Sequence, residues 1–176
     1  MMNKLYRSPY EAYPFLSDES EDLRCDFEIY TDKLSSMTGL LSAMCQEIEL
    51  QKDLQKVDDL IYHSNPTLRT KMTVTEEEVQ WLKTRVDALR DETKDRCERF
   101  VLPYGSKRAA LSHVLRAECK GLVRLLYRYN RTGKNVEPLL YDFTNLLSGY
   151  FFVLSLKLNA LDGIDEIPYI SRNYIK

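Results

Sequence analysis

The chain has 176 residues, 25 Lys and Arg against 27 Asp and Glu for a net charge of −2, a pI of about 5.8, 44% apolar residues and only 6 Gly and 6 Pro. A chain of this length buries roughly 70% of the surface that its unfolded form exposes, so it is expected to fold as one compact domain without metal or disulfide staples; disorder, collagen-like repeats and a disulfide mini-scaffold are excluded. The balanced charge lacks the Lys/Arg surplus that phosphate neutralisation demands, so neither nucleic acid nor an anionic membrane is an expected partner.

Residues 1–24 read as an irregular arm, with Tyr6, Pro9, Tyr10, Tyr13, Pro14 and Phe15 followed by the acidic run Asp18-Glu19-Ser20-Glu21-Asp22. From Asp26 the pattern turns helical. Ile29, Met37, Leu40, Leu41, Met44 and Ile48 recur at threes and fours and predict a first helix to about Leu50. A shorter second helix carries Leu54, Val57, Leu60 and Ile61 and breaks at Ser64-Asn65-Pro66-Thr67. Thr75-Glu76-Glu77-Glu78 is a capping box with three acids at the positive end of the helix dipole, and predicts a third helix through Val79, Leu82, Val86 and Leu89 to about Arg99. Pro103 and Gly105 make residues 100–106 a linker, and Ser106 is placed to cap a fourth helix from about Lys107 to Asn130. A fifth starts near Pro138 and runs to about Leu161. No strand pattern or internal repeat is visible. The expected fold class is therefore all-α, a bundle of four or five long helices, with the bundle at 25–170 and a tail at 171–176.

Leu139 to Leu158 is about as long as a membrane span, but Asp142, Asn145 and Lys157 interrupt it and no positive clusters flank it, so a central bundle helix is the better reading. Cys25, Cys45, Cys97 and Cys119 lie at least 20 residues apart, with no C-x-x-C and no His at ligand spacing; they read as buried thiols, with no protein metal site. No secretory apolar stretch follows Met1, and the expected compartment is the cytoplasm.

Chemistry concentrates on the last two helices. Arg116, Lys120, Arg124 and Arg128 recur at four-residue spacing and form a ladder that can either grip a triphosphate or remain a solvated basic stripe. His113 lies one turn before Arg116 and reads as structural. Asn145 and Ser148 are polar within an apolar stretch, and each requires a partner that is either a neighbouring helix or a ligand. Asp32 is a surface carboxylate by default and a salt-bridge partner for the ladder if it faces inward. The common glycine-rich nucleotide loops and Ser-His-Asp or Cys-His arrangements are absent.

Three segments resemble a known family. Phe100-Val101-Leu102-Pro103-Tyr104-Gly105-Ser106, Leu111-Ser112-His113-Val114-Leu115-Arg116 and Asn145-Leu146-Leu147-Ser148-Gly149-Tyr150-Phe151-Phe152 are similar to the F-[IV]-L-P-G-G-[ST], L-H-x-x-R-T-x-x-R-R-A-E-R and L-N-R-L-S-D-x-L-F signatures of the PduO-type corrinoid adenosyltransferases. Tyr30-Thr31-Asp32-Lys33-Leu34-Ser35-Ser36 resembles the family's G-T-x-D-E-L-N-S, and the match in order and spacing covers roughly residues 26–169. The resemblance implies a trimer of five-helix bundles that moves the 5′-deoxyadenosyl group of ATP onto the reduced cobalt of cobalamin, with both substrates at subunit interfaces and magnesium as a candidate companion of the nucleotide. It places Asp32 and Arg116 as an intersubunit salt bridge and Phe100 as the aromatic that helps displace the corrinoid's lower axial base. It places Lys120, Arg124, Asn145 and Ser148 at ATP. The chain departs from the signatures at Gly121, Val123, Leu146 and Gly149, which stand for Arg, Glu, Arg and Asp, and residues 1–24 lack the family's ATP-wrapping T-R-x-G-D-x-G-x-T loop. Lys4, Arg7, Lys107 and Arg108 are the cations that could compensate. Two roles follow from the resemblance, a divergent adenosyltransferase or a non-catalytic carrier or sensor of the corrinoid, the latter with a B12-dependent enzyme as partner. A helical interaction protein that kept only the fold is the third.

Overall fold

A computed structural model describes residues 5–96, 98 and 100–173. Five α-helices make up the architecture: α1 Leu23–Met44, α2 Ile48–Ser64, α3 Glu76–Glu92, α4 Lys107–Arg131 and α5 Pro138–Leu161. Among the described residues the only β pairing is an isolated antiparallel bridge between Val101 and Pro168. The protein is an all-α five-helix bundle.

Local chemistry sets most of the helix starts. Asp22 accepts from the Arg24 amide at the head of α1, Thr75 and Glu78 form the reciprocal capping box of α3, Ser106 accepts from the Ala109 amide at 3.2 Å, and Pro138 opens α5. Two predicted ends move. The first helix stops at Met44 rather than Leu50, because Cys45 turns extended and its carbonyl accepts from the Gln51 side chain at 2.7 Å, which begins α2 three residues later. The third stops at Glu92 rather than Arg99: the Thr93 hydroxyl folds back on the Leu89 carbonyl, and a short 3₁₀ turn at Lys94–Arg96 carries Arg96 to Glu166 and the Ile164 carbonyl. Cys97 lies outside the described residues; Cys25, Cys45 and Cys119 are buried free thiols.

α1 packs on α2 and α4, and α5 packs between α4 and α3. Contacts of Ser35 with Asp58 and of Asn65 with Glu28 make α1 and α2 antiparallel. Ser112 to Phe151, Ser148 to Arg116 and Tyr141 to Leu126 do the same for α4 and α5. The long apolar α5 meets the length and composition of a membrane span, yet Phe143, Leu147, Tyr150, Phe151 and Leu154 are buried in the bundle, so its apolarity is that of a central core helix.

The α3–α4 linker is fixed from below by Asn159 of α5. This fully buried amide accepts from the Ser106 N–H at 3.0 Å and donates to the Tyr104 carbonyl and to Glu166. Gly105 passes over it at φ 147°, a conformation that favours glycine. Beyond the linker, Phe100 accepts from the Tyr169 N–H at 2.7 Å and Leu102 donates to the Ile167 carbonyl at 2.9 Å. The C-terminal segment therefore holds residues 100–102 as a strap across the end of the bundle.

Candidate active site

A cavity of about 540 Å³ opens between the strap, α4 and α5. Phe100 and Val101 border it from the strap, His113, Arg116 and Lys120 from α4, and Ser148, Gly149 and Phe152 from α5, with Glu98 nearby. Four of the seven residues singled out from sequence, Phe100, Arg116, Lys120 and Ser148, thus meet in one site. Phe100 is 84% exposed, so its ring takes little part in the core. Ser148 donates to the Arg116 carbonyl at 3.1 Å, so its partner in this chain is the neighbouring helix.

The other three lie outside the cavity. Asn145 is exposed, donates to the Tyr141 carbonyl at 2.8 Å, and lines an adjoining groove that shares Gly149 with the main cavity. Asp32 is exposed on α1 and Arg124 is exposed on α4. Among the described residues, neither Asp32, Arg116 nor Arg124 forms an ion pair within the chain. The ladder separates for a geometric reason. Steps of four residues advance about 40° round an α-helix. Arg116 and Lys120 therefore face α5, while Arg128 has rotated to a groove shared with Tyr30 and Lys33 of α1.

Two departures from the signatures have structural counterparts. Gly121 faces α1, and a Cβ there would lie 2.1 Å from the Tyr30 hydroxyl. Tyr30 and Lys33 both bond Glu118, which holds that carboxylate below its ordinary range, chiefly through Lys33. Gly149 meets nothing closer than Val86 at 3.9 Å and leaves the wall between the two cavities low. Arg108 is committed elsewhere: it bonds Glu47 at 2.6 Å and Asp162 at 2.7 Å, which removes it as a compensating cation. Lys4 lies outside the described residues.

From the sequence alone His113 reads as structural and Phe152 is not singled out, yet both border the cavity. His113 is 4% exposed, its ring lies 6.4 Å from that of Phe152, and neither ring nitrogen has a hydrogen-bond partner among the described residues. Burial, reinforced by the Arg116 charge, pushes its pKa down to about 4, so the imidazole is neutral at physiological pH. Arg116 Nε is also buried without a partner. The signal available beforehand was the three-residue spacing of His113 and Arg116, which puts both on one helix face. Among the described residues no group of three or more His, Cys, Asp or Glu side chains is arranged to hold a metal ion.

The sequence pattern described as cobalamin adenosyltransferase matches residues 20–158, most of the chain and every helix that builds this cavity. The chain belongs to the cobalamin adenosyltransferase family. It is 29% identical over 160 residues to the corrinoid adenosyltransferase of Bacillus subtilis strain 168, an alignment covering 86% of this chain and 82% of that protein. Its fold is similar to that of a phenylalanine-to-histidine variant of the PduO-type ATP:corrinoid adenosyltransferase from Lactobacillus reuteri, complexed with cobalamin and ATP. There the TM-score is 0.78 at 20% identity, covering 93% of this chain and 97% of the other. An arginine-to-lysine variant of the same enzyme, complexed with ATP, gives a TM-score of 0.75 at 23% identity, with 85% and 88% covered.

Proposed function

We propose that the protein is an ATP:corrinoid adenosyltransferase, transferring the 5′-deoxyadenosyl group of ATP to reduced cobalamin. The observation that carries this reading is the convergence of Phe100, Arg116, Lys120 and Ser148 on one cavity with an apolar strap on one side and two cations on the other. An exposed aromatic that borders the cavity, and buried polar atoms of His113 and Arg116 that lack partners, support part of a large ring bearing polar groups as its occupant. In the reaction, electron-rich cobalt forms a bond to C5′ of ATP as the C5′–O bond breaks and triphosphate leaves. The chain's task is orientation. Phe100 covers one face of the corrinoid and keeps its lower ligand away. Lys120 attracts the phosphates as a point charge, with Asn145 in the adjoining groove, while Ser148 fixes the α4 backbone behind Arg116. Magnesium would accompany the nucleotide on its own phosphates.

The site is completed, in this reading, by a neighbouring copy in a homotrimer, where Asp32 of one copy pairs with Arg116 of the next. The exposure of Asp32 and the free Nε of Arg116 support that arrangement. The free thiols of Cys25, Cys45 and Cys119 suit work in the reducing cytoplasm. A second reading, a corrinoid carrier or sensor that serves a B12-dependent enzyme, is favoured by Tyr30 filling the place of a signature arginine at Gly121. Loss of two charge-assisted phosphate contacts at roughly 1.5–3 kcal/mol each weakens ATP binding by well over a hundredfold if uncompensated.

An anaerobic visible-absorption assay with reduced cobalamin and magnesium ATP separates the two. Conversion to adenosylcobalamin, with Lys120→Ala raising the ATP requirement and leaving cobalamin affinity unchanged, is the expected result. Corrinoid binding with neither turnover nor a response to ATP would establish the carrier instead.

A further inference from the structure

His113 is the one polar side chain of the cavity that is more than nine-tenths buried with neither hydrogen-bonding atom engaged among the described residues. A buried imidazole ordinarily satisfies both nitrogens, because an unpaired one loses its water and gains nothing in return. Here the groups around it offer no partner. Phe152 presents a ring tilted by 55°, Ser112 spends its hydroxyl on the Phe151 carbonyl at 2.7 Å, Ser148 spends its own on the Arg116 carbonyl, and the Arg116 Nε–H, itself without an acceptor, bonds neither ring nitrogen. A residue kept for packing alone would be better served by Leu or Phe.

We infer that His113 is a recognition residue for the corrinoid, bonding a primary amide on the rim of the corrin ring. This inference rests on the corrinoid reading above. Its chemical basis is complementarity. A neutral imidazole has one N–H donor and one lone-pair acceptor, and a primary amide has a carbonyl acceptor and an NH₂ donor. A phosphate offers acceptors only and would leave the second nitrogen unsatisfied, while its charge is answered by Arg116 and Lys120 instead. The half-buried Phe152 ring stands beside the imidazole, its centroid 6.4 Å away and tilted by 55°, and borders the same cavity. Phe100 and His113 then define the corrinoid end of the cavity, and Lys120 marks the nucleotide end.

The test uses the full chain, adenosylcobalamin as the probe, and the variants His113→Phe and His113→Gln. His113→Phe fills the buried site and removes two unsatisfied nitrogens, so it is expected to melt about 2–4 °C higher while binding adenosylcobalamin about tenfold more weakly, with ATP affinity unchanged. His113→Gln, which keeps a donor and an acceptor, is expected to restore most of the affinity. In wild-type protein with ¹⁵N-labelled histidine, the His113 ring signals are expected to shift on adding adenosylcobalamin. Equal binding by wild type and His113→Phe, an equal loss for ATP and corrinoid, or unmoved His113 signals in a wild type that binds adenosylcobalamin each overturn the inference and leave the proposed transfer standing. A wild type that binds no corrinoid overturns both.

Discussion

The phenol oxygen of Tyr30 on α1 fills the space in which a side chain at position 121 of α4 would begin, 2.1 Å from the Cβ that Gly121 lacks. A helix-interior Gly→Ala change ordinarily stabilises by about 0.5–1 kcal/mol. Gly121→Ala is expected to reverse that sign and cost about 1 kcal/mol, because Tyr30 must leave Glu118. In a Tyr30→Ala background the same substitution is expected to stabilise. Urea melts of the two single variants and the double measure the coupling; additive effects would show that Tyr30 yields freely and that the missing arginine has another cause.

Phe100 contributes little to the core at 84% exposure. Phe100→Ala is expected to change stability by less than about 0.5 kcal/mol, as exposed substitutions do. Adenosyl transfer is expected to fall at least tenfold in the same variant. A thermal melt beside the anaerobic assay checks both, and a destabilised variant would mean that the ring packs on the strap rather than on substrate.

What was legible in the sequence is what local chemistry decides. Thr75 with Glu78, Ser106 and Pro138 each mark a helix start by a cap or a fixed φ, and the structure has a helix at each. The break at Cys45 was not legible because no Gly or Pro makes it; a side chain from the next helix, Gln51, supplies the cap. The site divides in the same way. Arg116 and Lys120 share a face by spacing alone, whereas the exclusion of Arg124 depends on where α5 crosses α4. His113 was read as structural because its distinguishing property is the lack of a partner, and that depends on which groups from α5 do not reach it.

Gly105 and Asn159 couple the core to the strap. A Cβ at Gly105 would lie 2.0 Å from Asn159 Oδ1, on a backbone already at φ 147°. Gly105→Ala therefore strains the backbone and displaces a buried amide that satisfies the Ser106 N–H and the Tyr104 carbonyl. A cost of about 2–4 kcal/mol is expected, from strain together with lost buried hydrogen bonds. Because the strap carries Phe100, hydrogen exchange should quicken at Leu102 and Tyr169, whose amides hold it. Unchanged protection there would mean that Asn159 does not hold the strap.

His113 makes stability depend on pH in a window where most side chains are silent. Its pKa falls from an ordinary 6.5 to about 4 on folding, through burial first and the Arg116 charge second. Between those values the unfolded chain binds the extra proton, so stability is fully present above pH 6.5 and is lost as the pH falls toward 4. At 1.36 kcal/mol per pKa unit the ceiling is about 3 kcal/mol, reduced to about 1–2 kcal/mol by solvent at the cavity mouth. Denaturant melts from pH 7 to pH 4.5 are expected to show this decline in wild type and a flatter profile in His113→Phe. Parallel profiles would show that the imidazole protonates freely in the folded state.

Arg69, in the α2–α3 connection, fastens the N-terminal segment to the bundle. Its guanidinium bonds Glu28 of α1 and Asp18 of the segment, both at 2.6 Å, and lies 3.6 Å over the Phe15 ring. Glu28 is 5% exposed, and the Arg69 guanidinium is the cation paired with it. Removing one partner of a buried pair leaves the other uncompensated, at about 3–5 kcal/mol, whereas replacing both by apolar groups restores much of the loss. Arg69→Ala is accordingly expected to destabilise by that amount and to expose the Phe15–Leu16 bond to chymotrypsin. Arg69→Met with Glu28→Leu is expected to recover stability but not protection, since Asp18 still lacks its cation. Were the double variant as resistant to chymotrypsin as wild type, the segment would be held by its aromatic contacts alone.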